Sequence, residues 1–240
     1  MDDQGRSAVE EFRSWLTDAT TDAASPAIPA ATVVLLRDRG HGVETLMMRK
    51  TSRIAFGGMW VFPGGRIDDE DRVGPDDLAA ARRAASREAA EEADLVVPPE
   101  SMVPLSFWVP PAQAPKRFAT WFFVARAPEG DVTIDDGEIT DHQWIHPLEA
   151  IAARDRGEVE LAPPTWVTLH HLGRHDTVDD TMVALAHQRP GRYETRIASA
   201  DGAVVTLWEG DAGYVAGDPS LPGPRNRLIM SDDSWRYERT

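Results

Sequence analysis

The order of apolar segments along the chain predicts a mixed α/β fold in which a mixed β-sheet lies between helices. Two β-branched runs occur early, one long helix follows them, and further strand-like runs precede a late helix. Strands interrupted by helices in this order bury their apolar faces best as a sheet that helices cover. With 240 residues, the chain can form one substantial core, or a main domain with an appendage.

The first third of the chain is predicted to contain a helix and a β-hairpin. Apolar residues recur at helical spacing over residues 9–19. Residues 31–37 and 43–49 are β-branched runs around Asp38-Arg39-Gly40, a pattern typical of a hairpin. A third apolar run, 59–62, leads into Gly64-Gly65, which predicts a tight turn that lets a ligand approach the backbone.

A long helix is predicted to start at Gly74-Pro75-Asp76-Asp77, because proline and acidic residues favour the first helical turn. The last thirty residues are rich in Gly, Pro and Asp, and no element is predicted there. By the same criteria, the sequence predicts strands at 103–109, 118–127, 139–145, 192–198 and 204–208, and helices at 147–156, 165–172 and 178–188.

The predicted elements divide the chain into three parts. Residues 1–29 form an N-terminal helix with a Thr-, Ala- and Pro-rich linker, and residues 30–157 form the main domain. Residues 158–240 form a C-terminal extension, predicted to pack on the main domain as a lid or as a contact in a homodimer.

The composition excludes several classes of partner. The chain carries 25 basic and 40 acidic residues, a formal net charge of −15, so a nucleic-acid polymer or an anionic membrane surface is not the expected partner. The absence of cysteine excludes disulfides and thiolate metal sites and fits a cytoplasmic protein. The acidic N-terminus resembles no signal peptide, and no apolar run reaches membrane-spanning length.

Three acidic residues stand out on the long helix. Glu88, Glu91 and Glu92 occupy positions i, i+3 and i+4, which places their carboxylates on one helical face. This face lies toward the C-terminal end of the helix, where the helix dipole disfavours anions. Such a cluster is either a solvated acidic face or a set of oxygen ligands for hard divalent cations.

Together with the upstream glycines, these acids resemble a family signature. The segment Arg87-Glu88-Ala89-Ala90-Glu91-Glu92, preceded by Phe62-Pro63-Gly64-Gly65, resembles the Nudix hydrolase box, G-x5-E-x7-R-E-U-x-E-E-x-G-U, in which U is apolar. Asp71 falls at the first acidic position, and fifteen residues instead of seven separate it from the arginine, an insertion of eight. Asp94 replaces the last glycine, which commonly ends the helix in a left-handed conformation that Asp tolerates.

The resemblance implies an α/β/α sandwich and a pyrophosphohydrolase that depends on Mg²⁺ or Mn²⁺ and cleaves a nucleoside diphosphate linked to another group. It implies that Arg87 braces the box by pairing with an acid, and that Asp71 is either a loop cap or a functional acid. The implied catalytic residues are Arg87, Glu88, Glu91 and Glu138, and the implied metal ligands are Glu88, Glu91, Glu92 and Glu138. Asp136 and Asp141 are the alternatives to Glu138 as the acid from a distant loop.

Two further segments suggest a substrate. Arg117-Phe118-Ala119-Thr120-Trp121-Phe122-Phe123 resembles the RFDTxFF strand of the Nudix branch that cleaves coenzyme A and its acyl esters, and residues 158–165 resemble another segment of that branch. Lys50 departs from that branch's upstream pattern. The candidate substrate-binding residues are Arg49, Arg53, Gly64, Gly65 and Arg117. The alternatives are a hydrolase of ADP-ribose, nucleotide sugars or nucleoside triphosphates, and a non-catalytic nucleotide sensor.

Overall fold

The computed structural model describes residues 7–17, 25–40, 42–51, 57–135 and 137–240. The predicted mixed α/β class is confirmed. The helices are α1 (Ala8–Thr17), α2 (Asp77–Ala93), α3 (Pro147–Asp155), α4 (Pro163–Leu172) and α5 (Val178–Ala186). The strands are β1 (Ile28–Arg39), β2 (Gly42–Lys50), β3 (Trp60–Val61), β4 (Gly64–Arg66), β5 (Val103–Val109), β6 (Phe118–Arg126), β7 (Ile139–Ile145), β8 (Gly191–Glu194), β9 (Arg196–Ala200), β10 (Ala203–Leu207), β11 (Asn226–Met230) and β12 (Trp235–Arg239).

The chain forms two compact units. The first contains Pro29–Phe107 and Thr120–Gly191. The second contains the stretch around α1, together with Trp108–Ala119 and Arg192–Thr240. The predicted domain boundaries at 29/30 and 157/158 stay a prediction.

The first unit is built around a sheet in which β3, β2, β1, β6 and β5 are neighbours in that order, while β4 also pairs with β1 and β7 also pairs with β2. The hairpin of β1 and β2 is confirmed, with Arg39 opposite Gly42. One face of α2 packs on this sheet through small side chains. The fully buried residues of this core include Ala81, Ala84, Ala85, Ala89 and Ala93 of α2 and Val33, Leu35, Leu46, Met48, Phe123 and Ile139 of the sheet.

The prediction of a tight turn at Gly64-Gly65 is wrong, because both glycines lie in β4. Gly64 is opposite Thr32 and Gly65 is opposite Ala31 in an antiparallel pair with β1. Glycine is required here for close packing, since a Cβ on Gly64 would come within 2.6 Å of the Ala31 carbonyl oxygen and the Thr32 Cβ.

Both ends of α2 are capped by aspartates. The Asp76 side chain accepts hydrogen bonds from the amides of Leu78 and Ala79, so the helix begins at Asp77. Pro75, predicted for the first turn, therefore lies before the cap and outside the helix. At the other end, Asp94 has φ 56° and ψ 32°, the left-handed conformation predicted for it. Its amide donates to the Ala90 carbonyl oxygen, and the Leu95 amide donates to the Ala89 carbonyl oxygen.

The second unit has its own antiparallel sheet, in the order β12-β11-β10-β9. Ala198, Val205 and Leu207 form a small apolar cluster on it. The last two strands, β11 and β12, were not predicted from the sequence, and the strand predicted at 192–198 is divided between β8 and β9 at Thr195, whose amide donates to the Val109 carbonyl oxygen.

Aromatic residues form a second part of this unit's core. The Trp108 and Tyr193 rings are stacked, with centroids 3.9 Å apart, and Trp208 meets both rings edge-on. Trp108 is therefore a core residue, as its place in an apolar run indicates. Among the described residues, no helix is both long and apolar enough to cross a membrane.

Candidate active site

The alanine face of α2 determines where the signature acids lie. Its alanines at positions 81, 84, 85, 89 and 93 are fully buried against the sheet, and such small side chains allow a close approach of the helix. Its neighbouring face then presents Glu88 and Glu92 to β4 and to the end of β2. Glu91 lies farther out, and 59% of its side chain is exposed.

Glu92 is the most buried of the three acids, with 5% of its side chain exposed. Its Oε2 accepts a hydrogen bond of 2.9 Å from the Gly64 amide, and its Oε1 lies 3.1 Å from Lys50 Nζ. Burial raises the pKa of Glu92, although Lys50 and the Gly64 amide act in the opposite direction. The fold thus holds this carboxylate in a position that disfavours its charge.

Glu88 lies against the second glycine of β4. A side chain on Gly65 would overlap the Glu88 carboxylate, so only glycine lets the acid approach the strand this closely. Burial raises the pKa of Glu88, and the charges of Glu92 and Glu91 raise it further against the effect of Arg87. The two glycines of the signature are therefore each matched to one acid of α2.

Arg87 braces the signature, as the resemblance implies. Its Nη1 lies 2.9 Å from Glu88 Oε1 and 3.0 Å from Glu91 Oε2, and its Nη2 lies 3.0 Å from Asp71 Oδ2. The hydrogen bonds to Asp71 and Glu88 outweigh the opposing effect of burial and raise the pKa of Arg87. One guanidinium therefore links two of the signature acids to the loop before α2.

Asp71 serves that loop. Its side chain is buried and accepts a hydrogen bond of 2.9 Å from the Asp68 amide, which makes it a loop cap as well as a partner of Arg87. Arg83 of α2 donates to the carbonyl oxygens of Asp71 and Val73 at 2.7 and 3.1 Å. The inserted residues are thus fastened to the helix by two arginines.

The distant acid Glu138 lies close to the signature, with 56% of its side chain exposed. Its Oε2 is 3.6 Å from Lys50 Nζ, so one ammonium lies between Glu138 and Glu92. The rival Asp141 is on β7, where its side chain accepts a hydrogen bond from the His142 amide, and the other rival, Asp136, is outside the described residues. Of the described candidates, Glu138 is the one that shares a partner with Glu92.

The structure describes two of the three arginines among the substrate-binding candidates. Arg49 is exposed on β2, next to Lys50, and Arg53 is outside the described residues. Arg117 belongs to the second unit, where its guanidinium donates to the Pro110 and Ser25 carbonyl oxygens. A role of these arginines in binding substrate stays a prediction.

A divalent cation would find suitable donor chemistry here. Carboxylate oxygens are the ligands that Mg²⁺ prefers. Burial and repulsion from neighbouring acids raise the pKa of Glu88 and of Glu92, so a bound cation would stabilise their ionised forms. Arg87 and Lys50 supply the positive charge nearest to these acids. Within the described ranges, no three or more His, Cys, Asp or Glu side chains are grouped so as to hold a metal ion. The residue types therefore fit a metal ion, while Arg87 and Lys50 already contact the acids.

Lys50 is the residue at this site that the sequence analysis missed as a functional candidate. In the sequence Lys50 is a departure from the coenzyme A pattern, whereas in the structure it is the common partner of Glu92 and Glu138. A signal was present in the composition, because Lys50 is one of only two lysines among 25 basic residues.

Comparison with known proteins agrees with the signature. Residues 26–180, more than half of the 240-residue chain, match the family model described as NUDIX domain. No curated protein sequence matches the chain at a significant level. A NUDIX hydrolase from Alicyclobacillus acidocaldarius is 21% identical with a TM-score of 0.61, over 67% of this chain and 97% of that one. This likeness shows a shared fold.

Two other solved structures are similar at lower TM-scores. The NUDIX domain of Shewanella oneidensis NrtR, solved with ADP ribose, is 19% identical with a TM-score of 0.47, over 66% of this chain and 94% of that one. A C. elegans Ap4A hydrolase is 21% identical with a TM-score of 0.43, over 66% of this chain and 98% of that one. On the family-model match and the signature residues, the chain belongs to the Nudix family of hydrolases.

Proposed function

We propose that the chain is a pyrophosphohydrolase dependent on Mg²⁺ or Mn²⁺ that cleaves a nucleoside diphosphate linked to another group. The observation that carries the proposal is the pair of carboxylates, Glu88 and Glu92, each pressed against a glycine of β4 and each with a raised pKa. Burying ionised carboxylates costs free energy, and a bound cation that neutralises them would offset this cost.

The residues have distinct parts in the proposed reaction. Glu88, Glu91, Glu92 and Glu138 would hold the cation, which when bound neutralises phosphoryl oxygens and acidifies water. Water attacks one phosphorus atom, the bridging P–O bond breaks, and a carboxylate accepts the proton of the water, with Glu88 as the candidate base. Arg87 keeps Glu88 and Glu91 in place through its contacts of 2.9 and 3.0 Å.

The favoured substrate is coenzyme A or an acyl-coenzyme A, with 3′,5′-ADP and an acyl-4′-phosphopantetheine as products. This choice rests on the resemblance of residues 117–123 to the strand of the coenzyme A branch. ADP-ribose, nucleotide sugars and nucleoside triphosphates are the alternatives within the same chemistry.

Hydrolysis of a substrate panel tests the proposal. Coenzyme A, acetyl-coenzyme A, ADP-ribose, NADH, diadenosine polyphosphates and nucleoside triphosphates are each incubated with Mg²⁺ and with Mn²⁺, and products are separated by chromatography. We expect turnover that requires the metal and is lost in the Glu91→Gln/Glu92→Gln variant. Glu149→Gln is the matched control, since this exposed glutamate on α3 pairs only with Arg156 in the described structure.

A second function, nucleotide sensing without catalysis, is favoured by one observation. Arg87 and Lys50 already contact all four proposed ligands. Binding of a panel compound, measured by calorimetry, without turnover in either metal would support the sensor and contradict the hydrolase.

The substrate choice has its own test. If Arg117 meets the 3′-phosphate of coenzyme A, Arg117→Ala raises the KM for coenzyme A more than the KM for ADP-ribose. Lys116→Ala, which removes the neighbouring charge, is the control. Equal effects on both substrates would show that Arg117 acts through its bonds to the Pro110 and Ser25 carbonyl oxygens.

A further inference from the structure

Lys50 is held at the candidate site by its backbone. Its amide donates to the Met59 carbonyl oxygen at 3.1 Å, and its own carbonyl oxygen accepts from the Gly58 amide at 2.9 Å. A register shift between β2 and β7 falls between Arg49 and Lys50, and the next amide, that of Thr51, donates to the Glu138 carbonyl oxygen at 2.8 Å. The irregular strand end therefore fixes the base of this side chain beside the Glu138 loop.

The Lys50 ammonium contacts Glu138 and the Glu92 oxygen that does not accept from the Gly64 amide. It lies 3.1 Å from Glu92 Oε1 and 3.6 Å from Glu138 Oε2, whereas the other Glu92 oxygen is bound by the Gly64 amide. Only 13% of the Lys50 side chain is exposed. Among the described residues, the oxygen that Glu92 offers to a cation is thus the one that Lys50 already contacts.

We propose that Lys50 is an internal counter-cation that competes with the divalent metal for Glu92 and Glu138 and must leave them before the metal binds. The inference rests on the proposed metal-dependent function and adds a residue that sets the metal concentration at which the site is loaded. An ammonium and a hard divalent ion bind the same carboxylate oxygens, and their like charges repel each other.

The chemistry of lysine suits such a displaceable partner. An ammonium is a compact point charge on a flexible four-carbon stem, so it can leave a carboxylate by side-chain rotation, whereas an arginine fork is held bidentately. Arg87, in contrast, contacts Asp71, Glu88 and Glu91 together and cannot leave one acid without disturbing the others. The two basic residues of the site therefore differ in role: Arg87 is a fixed brace, and Lys50 is exchangeable.

Binding of Mn²⁺, followed by electron paramagnetic resonance, tests the inference without reliance on turnover. We expect Lys50→Met to lower the Kd for Mn²⁺ by about tenfold, because a competing unit charge beside the ligands is removed. Lys116→Met is the matched control, since Lys116 is the only other lysine and lies over the Phe118 ring in the second unit. It is expected to leave the Kd unchanged. Lys50→Arg, which keeps the charge, is expected not to tighten binding.

The outcomes separate this inference from the proposed function. Wild-type protein that binds Mn²⁺ with the same or higher affinity than Lys50→Met overturns the role of Lys50 and leaves the metal-dependent function standing. Failure of both proteins to bind Mn²⁺ overturns the role of Lys50 and the proposed metal-dependent function together. Binding by Lys50→Met alone supports the counter-cation and shows that the wild-type site is blocked.

A second measurement uses the wild-type chain and does not depend on the folding of any variant. Amine acetylation is followed by mass spectrometry at Lys50 and Lys116, with and without Mn²⁺. Displacement from Glu92 and Glu138 is expected to raise the acetylation rate of Lys50 severalfold and to leave that of Lys116 unchanged. An unchanged or slower rate at Lys50, under conditions in which Mn²⁺ binds, overturns the inference.

Discussion

The first unit buries Glu92 and the second unit buries Asp211, each beside a basic side chain, but the two carboxylates are satisfied to different degrees. In the second unit, Asp211 accepts two hydrogen bonds from Arg227, at 2.6 and 2.7 Å, and two more from the amides of Asn226 and Gly213. In the first unit, the described donors to Glu92 are one amide and one ammonium.

The difference shows in the pKa of each acid. Burial opposes the ionised form of Asp211, but the hydrogen bonds from Arg227 and the two amides outweigh it and lower the pKa. For Glu92, burial prevails and the pKa is raised. Asp211 therefore has the partners of a structural ion pair, whereas the Lys50 ammonium and the Gly64 amide do not offset the burial of Glu92. The contrast supports the proposal that Asp211 stabilises the fold and that Glu92 serves the function.

The largest effect on stability is expected at Asp211. Asp211→Asn leaves the buried Arg227 charge without its partner, and we expect the free energy of unfolding to fall by about 3–5 kcal/mol. Unfolding in urea measures this fall in the free energy of unfolding. Glu238→Gln, which breaks the more exposed pair with Arg236, is the control and is expected to cost less than about 1 kcal/mol. Equal losses in the two variants would remove the contrast between the units.

Glu92→Gln should show the reverse pattern. The amide oxygen can still accept from the Gly64 amide, and Lys50 retains Glu138, so we expect the free energy of unfolding to change by less than about 1 kcal/mol. Hydrolysis with saturating Mg²⁺ should fall at least about 100-fold, because a proposed ligand is lost. If Glu92→Gln loses as much free energy of unfolding as Asp211→Asn and retains turnover, Glu92 is a structural residue and not a metal ligand.

A fall in pH should change the stability of the two units in opposite directions, and by less than the Asp211→Asn substitution does. The lowered pKa of Asp211 gives stability above its unfolded value of about 3.9, and this stability is lost as the pH falls through the folded pKa. The raised pKa values of Glu88 and Glu92 cost stability at neutral pH, a cost relieved as the pH falls toward their unfolded value of about 4.3.

Hydrogen–deuterium exchange of individual peptides, corrected for intrinsic rates, measures this pH dependence. Without metal, α2 should become better protected as the pH falls from 7 toward about 4.3, while β11 should lose protection only below about pH 4. A loss of protection in α2 over the first interval would contradict the raised pKa values. The Glu92→Gln variant should show a smaller gain in α2 than the wild type.

Much of the site was predictable from local sequence. The spacing of Glu88, Glu91 and Glu92 predicted one acidic face, and the structure presents these acids with Arg87 as their brace. The left-handed backbone at Asp94 was predicted because the signature has glycine there. These features depend on residues within a few turns of one helix, where helical periodicity is a reliable guide.

The parts that were not predicted depend on contacts between distant segments. Gly64 and Gly65 were assigned to a turn, and their assignment to β4 requires the register with β1. The contact of Lys50 with Glu92 joins residues 42 positions apart across a strand irregularity. In the C-terminal tail, β11 and β12 were missed because abundant Gly, Pro and Asp masked short apolar runs such as Leu228-Ile229-Met230.

The central claim, that the α2 carboxylates form a site for a divalent cation, is tested most directly by the effect of Mg²⁺ on thermal unfolding. Millimolar Mg²⁺ should raise the Tm of the wild-type protein, since a ligand that binds only the folded state stabilises it. The Glu91→Gln/Glu92→Gln variant should show no rise, while Glu149→Gln should respond like the wild type. A rise that survives in the double variant, or its absence in the wild type, would contradict the claim.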